Sequence, residues 1–319
     1  MPTHRGSFKL FTLAGIDVYV HWSWFLVAYY SIQYRTHVYS STIWNIWEYL
    51  ALFGIVLLHE FGHQLACRSV GGKTHNIVLW PLGGVAYVSP PPRPGAQLWS
   101  IAAGPLVNVA LVPVLFVLVF VSSHLDWPDT NPDAYALIHN VWYLNLGLLI
   151  FNLLPIYPLD GGQILRSLLW FMLGRANSLL AASVIGFIGV AGLFGLAVFF
   201  FINPQTQQSG IWIGIMSVFI LINCWGGLKQ AGALARVAKL PRREGFACPS
   251  CKSAPPIGDL WRCGKCAKTF DIFLTHGACP NCGTQFNNTQ CLECGTESPI
   301  SAWSAPHALW ESPPASDRI

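Results

Sequence analysis

Charge is scarce in this sequence. Of 319 residues only 10% are Asp, Glu, Lys or Arg, against about 25% in an ordinary soluble domain. With 53% hydrophobic residues and positive mean hydropathy, that scarcity excludes both a soluble globular chain and a disordered one. The net charge is only +4, so the balance of charge does not support a nucleic-acid partner. Cysteine is nearly absent before residue 245, where only Cys67 and Cys224 occur, so that region has no disulfide framework. The segment MPTHRGSFKL lacks a short apolar core followed by a small-residue cleavage site, and no removable signal peptide is expected.

The few charges are unevenly placed. Residues 1–228 hold 15 of them and the much shorter stretch 229–319 holds 17. This pattern divides the chain into a membrane domain and a water-exposed one. Six apolar stretches approach the length needed to cross about 30 Å of hydrocarbon: 18–34, 43–68, 98–122, 134–155, 179–202 and 211–228. The fourth is interrupted by Asn140, Asn145 and Asn152. With a cytoplasmic N-terminus, twelve Lys and Arg residues fall on the cytoplasmic side and Arg35 alone falls opposite. The positive-inside bias therefore predicts both termini in the cytoplasm. Residues 74–88 are too short and too broken to cross, and β-branched residues around Pro81-Leu82-Gly83-Gly84 predict a hairpin or re-entrant loop. Irregular backbone at membrane depth must line a cavity or be buried in protein, which places this hairpin beside a site.

The second apolar stretch contains His59-Glu60-Phe61-Gly62-His63. Positions i and i+4 of a helix project from one face, so two imidazoles there can bind one zinc, with Glu60 in reach of the attacking water. A carboxylate inside a membrane helix costs several kcal/mol and by default marks function. A catalytic zinc with three protein ligands needs one more. The candidate is Asp160, in the run Asn152-Leu-Leu-Pro-Ile-Tyr-Pro-Leu-Asp160-Gly-Gly, which reaches the same side of the membrane as the end of the second helix. Asp before Gly-Gly is also a common turn, and only its combination with the two histidines favours the ligand reading.

These residues carry a resemblance. His59-Glu60-x-x-His63 in an apolar helix, followed by Asn152-x-x-Pro-x-x-Pro-Leu-Asp160-Gly, resembles the site-2 protease family of intramembrane zinc metalloproteases. Gly104-Pro105-Leu-Val-Asn108 and Leu82-Gly83-Gly84 also match patterns of that family. The resemblance covers roughly residues 10–228 and implies a compact six-helix branch that hydrolyses peptide bonds in or near transmembrane segments. It implies Zn²⁺ held by His59, His63 and Asp160, Glu60 as general base, and Asn152 as an oxyanion or substrate group, though capping of a broken helix would equally explain Asn152. Gly83 and Gly84 lie in the hairpin that would pair with an unwound substrate strand. Gly104 and Asn108 are expected to serve close helix packing. His21 is expected to pack at the interface within the first helix. The other readings are a catalytically silent membrane scaffold and a metal transporter.

Beyond residue 245 come four C-x-x-C pairs: Cys248 and Cys251, Cys263 and Cys266, Cys279 and Cys282, Cys291 and Cys294. This is a metal-ligand spacing rather than a disulfide one. Taken in chain order, the pairs make two tandem zinc ribbons, although crossed pairing fits the spacing too. The overall expectation is an all-α polytopic membrane protein of about six transmembrane helices, with a small membrane-associated β-hairpin and a small cytoplasmic zinc-ribbon domain. The expected domains are 1–228 for the membrane protease, 229–246 as a basic linker, 247–297 for the ribbons and 298–319 as a disordered tail. Expected cofactors are one catalytic and two structural Zn²⁺. Expected partners are a transmembrane protein substrate, the lipid bilayer and a cytoplasmic protein bound by the ribbons. The expected location is the plasma membrane of a prokaryote, its inner membrane where there are two.

Overall fold

The computed structural model describes residues 6–34, 38–80 and 83–303. It divides into two units, 1–232 and 233–319.

The first unit opens with a hairpin, β1 (Ser7–Leu13) and β2 (Ile16–His21). Ala14 and Gly15 both take positive φ between the strands, as a tight two-residue hairpin turn requires. The alternation Ile16, Val18, Val20 is the strand signal, and all three side chains are buried. The expected first transmembrane helix over 18–34 is therefore corrected: its first residues, His21 included, are strand. Helix α1 (Ser23–Tyr34) has only 12 residues, about 18 Å, which is too short to cross alone. The two elements act in series along α2 (Thr42–Ser69). Arg68 donates to the carbonyls of Ala14 and Gly15 at one end, and Tyr49 donates to the carbonyl of Trp24 at 2.8 Å. The stretch of α2 from Tyr49 to Arg68 is about 28 Å long, and β2 with the start of α1 lies along it. β2 pairs with β1 on one side and with β3 on the other.

Strands β3 (Lys73–Trp80) and β4 (Gly83–Ser89) form the expected hairpin, but it belongs to a four-stranded sheet of order β1-β2-β3-β4. β2 and β3 are parallel, and Val78 is registered with Val85 across β3 and β4. Ile16, Val18, Val20, Ile77 and Leu79 join Trp24, Val56 and Phe61 in one buried cluster, so this sheet lies against α2.

The remaining helices are α3 (Pro94–His124), the short α4 (Trp127–Thr130), α5 (Pro132–Leu153), α6 (Asp160–Ile202) and α7 (Gln207–Ala238). Five helices among the described residues, α2, α3, α5, α6 and α7, are long and apolar enough to cross a membrane, and the chain is a multi-pass membrane protein. The asparagines that interrupt α5 in sequence point to partners. Asn140 donates to Glu48 Oε2 at 3.2 Å and to the Tyr39 hydroxyl at 2.9 Å, and Asn145 is fully buried against α3. Inside α6, Gly174 breaks the helix with φ 75° and ψ 175°.

In the second unit, two short antiparallel ladders, β5 (Trp261–Arg262) with β6 (Thr269–Phe270) and β7 (Asn288–Gln290) with β8 (Glu297–Pro299), enclose a small core. Its members include Trp261, Phe270, Phe273, Ile300 and Trp303. Two expected boundaries are corrected here. Residues 298–303 are ordered, because Trp303 at 1% exposure fills the core; 304–319 lie outside the described residues. Residues 229–246, the expected basic linker, are helical in their first part and bonded to the second unit in their last. α7 continues to Ala238, and the backbone of 241–243 is bonded to 255–257. Arg243 then pairs with buried Asp271 at 2.6 Å, and Arg242 with Glu293 at 2.7 Å.

Candidate metal centres

Helix α2 presents His59 and His63 one turn apart, both buried. The break after α5 delivers Asp160 as the first residue of α6. Nε2 of His59 lies 3.1 Å from Nε2 of His63, and Oδ2 of Asp160 lies 3.0 and 3.4 Å from the two nitrogens. The outer nitrogens define the tautomers. His63 Nδ1 donates to the carbonyl of Ser100 at 2.9 Å, and a carbonyl only accepts. His59 Nδ1 donates to Asn108 Oδ1 at 2.6 Å. Asn108 is oriented in turn by Asn145, through Nδ2 to Oδ1 at 2.8 Å and Asn145 Nδ2 to the Asn108 carbonyl at 3.1 Å. Both Nε2 atoms therefore turn lone pairs toward Asp160 Oδ2, which is buried without a hydrogen-bond partner. Three lone-pair donors that converge with no proton between them fit a cation. Their separations suit ligand bonds of about 2.0–2.1 Å in a tetrahedral zinc site, whose edges are about 3.3 Å.

The cradle depends on missing side chains. A Cβ on Gly104 would stand 2.3 Å from His63 Nε2, and one on Gly62 would stand 2.7 Å from the Ala103 carbonyl. Cβ atoms on Gly161 and Gly162 would meet the backbone of Leu153 and Tyr157 at 2.3 Å. Glu60 is buried beside His59. Asn152 is half-buried in the last turn of α5, eight residues before Asp160. Gly83 and Gly84 begin β4, registered with Trp80 and Leu79. His21 stacks on Trp80 at 3.9 Å between centroids, a packing role as expected, though on a strand. Asn108 departs from expectation, because it orients a histidine instead of only packing helices. Asn145 and the Ser100 carbonyl were not anticipated. The asparagines that interrupt an otherwise apolar stretch carry the signal for Asn145; the Ser100 carbonyl leaves none in sequence.

The cysteines group differently from chain order. Cys248, Cys251, Cys291 and Cys294 form one cluster, and Cys263, Cys266, Cys279 and Cys282 form the other. The tandem pairing is corrected: the second cluster is nested inside the first. The sulfurs of Cys248 and Cys294 are 3.6 Å apart and those of Cys251 and Cys291 are 3.7 Å apart; in the inner cluster both corresponding distances are 3.6 Å. A tetrahedral site with Zn–S near 2.3 Å has edges of about 3.8 Å. The four C-x-x-C loops share one backbone design. The residue after the second cysteine (Lys252, Ala267, Gly283 and Gly295) has positive φ and returns its N–H to the carbonyl of the first cysteine. This common turn, not chain order, lets any two loops face each other. The Thr284 hydroxyl, 3.2 Å from Cys282, holds that thiol down at about 6, which favours the thiolate a metal needs.

A buried H-E-x-x-H helix facing an aspartate within a multi-pass membrane fold defines the class of membrane metallopeptidases with an intramembrane-type centre. The profile of peptidase family M50 matches residues 47–130 and 129–196, which include every residue of that centre. The chain belongs, through this region, to peptidase family M50, the site-2 protease family. A protein of Methanocaldococcus jannaschii named zinc metalloprotease is 36% identical over 182 residues, 56% of this chain and 50% of that protein. A Synechocystis sp. relative is 31% identical over 250 residues, 74% of this chain and 62% of its own. The solved site-2 protease of M. jannaschii aligns with a TM-score of 0.49 and 30% identity over 70% of this chain and 95% of that one. The chain spans about half to three-fifths of the length of the curated relatives it matches.

Proposed function

We propose that this protein is a zinc metalloendopeptidase that hydrolyses peptide bonds within or near transmembrane segments of other membrane proteins. The observation that carries the reading is the convergence of two Nε2 lone pairs and Asp160 Oδ2 beside buried Glu60 on a membrane helix. His59, His63 and Asp160 are the ligands of the catalytic zinc. Bound zinc supplies Lewis acidity, acidifying water and polarising the scissile carbonyl. Glu60 accepts the proton of the attacking water at its carboxylate and returns it to the leaving amine. Asn108 and Ser100 hold the ligand imidazoles in the tautomer that leaves Nε2 free. Asn152 contributes its amide to the substrate carbonyl. A helix must unwind before its peptide bonds become reachable, and the free edge of β4, beginning at Gly83 and Gly84, supplies hydrogen bonds to the unwound strand. The retention of a buried carboxylate base weighs against a silent scaffold.

The two cysteine clusters each hold a structural zinc, for a total of three per chain with the membrane site. A domain with so small a core draws its folding energy from metal. Both termini lie in the cytoplasm of a prokaryotic cell, where the ribbon unit recruits a protein partner to the protease.

The test uses the full chain in lipid nanodiscs with a panel of single-span membrane proteins, digested in H₂¹⁸O. The expected result is a new C-terminus carrying ¹⁸O within or beside a transmembrane segment, absent with Glu60→Gln. Products that persist unchanged with Glu60→Gln would overturn the assignment.

A further inference from the structure

Gln64 follows His63 directly on α2 and is fully buried. Its Nε2 donates to the backbone carbonyl of Asn76, on β3, at 3.1 Å. Its Oε1 is buried without a hydrogen-bond partner. An amide buried with one unpaired acceptor costs free energy that Leu or Met in the same space would avoid. The side chain is therefore held for the bond its donor makes. Asn76 lies where the ladder between β3 and β4 is interrupted: Thr74 is registered with Val88 and Ile77 with Ala86, so two residues of β3 stand opposite one of β4. Such a bulge disrupts the ladder locally, and there the helix supplies a donor to the strand.

Two further bonds join the end of α2 to the start of β3. Arg68 Nε donates to Thr74 Oγ1 at 2.7 Å, and the Cys67 thiol donates to the Lys73 carbonyl at 3.7 Å. Of the three, the Gln64 bond is the closest in chain to the histidines. β3 runs back along α2: Lys73 meets Cys67, Asn76 meets Gln64, and Leu79 packs in one cluster with Phe61 and Val56. Glu60 lies four residues before Gln64, about 6 Å along the helix, and 6 Å along a strand is about two residues. Two residues beyond Asn76 is Val78, which is registered with Val85 on β4. The Gln64 bond therefore ties the turn that carries Glu60 and the histidines to the stretch of β4 at the same height.

We propose that Gln64 is a positioning residue: it sets the height of the β4 edge against the metal centre and so selects which peptide bond of a substrate strand is cut. The inference rests on the proteolytic reading and on the β4 edge as the partner of the unwound strand. A strand bonded to that edge advances about 3.3 Å per residue. A slip of β4 by less than one residue moves the scissile carbonyl away from Glu60, and a misplacement of about 1 Å costs up to about 10²-fold in rate.

The test compares the full chain with Gln64→Met, both in nanodiscs, on the panel of single-span membrane proteins. Met matches Gln in length and removes the unpaired oxygen together with the donor. Wild type is expected to cut one principal bond. Gln64→Met is expected to cut that bond about 10–100-fold more slowly and to spread its products over neighbouring bonds, read by mass, at unchanged zinc per chain. Leu179→Ala, which removes a buried side chain of α6, should keep the wild-type bond even where it lowers stability. Hydrogen exchange needs no substrate: amides of 73–89 should exchange about fivefold faster in Gln64→Met, with those of 94–124 unchanged. Unchanged products, or unchanged exchange, would overturn the role and leave the proteolytic reading standing. Lost zinc or aggregation of Gln64→Met would show a merely structural side chain and overturn it too. No product from zinc-loaded wild type, or products that survive Glu60→Gln, would overturn the proteolytic reading itself and the positioning role with it.

Discussion

Gly104 of α3 sits directly against His63 of α2: a Cβ there would stand 2.3 Å from Nε2 of His63 and 2.8 Å from Nε2 of His59. Because both atoms are the proposed ligands, Gly104→Ala should empty the membrane site without unfolding the chain. Zinc per chain should fall by one while the purified protein remains monodisperse. Unchanged zinc would mean that α2 and α3 move apart freely, contrary to the tight approach also seen at Gly62.

Asn108 would act on the proposed zinc through His59, at 2.6 Å from Nδ1. Loss of such a partner typically weakens zinc affinity about 10–100-fold. Asn108→Ala is expected in that range by competition with a chelator. Asn145→Ala, which acts only through Asn108, should have a smaller effect. If Asn145→Ala weakens zinc more than Asn108→Ala, the proposed relay is wrong.

In the proposed mechanism Glu60 acts on the attacking water and is not a metal ligand. Glu60→Gln should keep a full complement of zinc and lower cleavage by about 10²–10⁴, the range of general-base catalysis. Metal content and cleavage rate measured on the same preparation separate this role from a ligand role, in which both would fall together.

Nested and tandem pairing of the cysteines make different predictions. Cys251→Ser/Cys291→Ser removes two ligands from one nested cluster and should cost one zinc. Under chain-order pairing it would damage both clusters and cost two.

Asp271 is buried and accepts from Arg243, Gly258, Phe273 and Leu274. Asp271→Ala leaves a half-buried guanidinium and three backbone donors unpaired, a loss of about 3–5 kcal/mol. The expected readout is rapid proteolysis of residues beyond 240 in the full chain with the membrane part intact.

The grouping of His59 and His63 was legible in sequence because it obeys helix arithmetic: the two share a face at i and i+4, and a carboxylate amid apolar residues has few other reasons to exist. Asp160 was legible only in combination with them. What escaped depends on contacts between elements. The Ser100 carbonyl is a backbone atom that any residue would provide, and Asn145 becomes informative only once α5 lies on α3. The hairpin of β1 and β2 was hidden because Val18 and Val20 score as membrane-apolar whether in strand or helix. The nested clusters were invisible because each C-x-x-C loop is locally identical, and the partner of each is chosen by the fold.

The central claim is a zinc held in the membrane by His59, His63 and Asp160. Its most direct test is zinc per chain in the purified full-length protein, wild type against Asp160→Ala, with metal loss during purification excluded by reloading. The expected values are three and two. Two zincs in wild type, unchanged by Asp160→Ala, would leave only the cysteine clusters occupied and contradict the account.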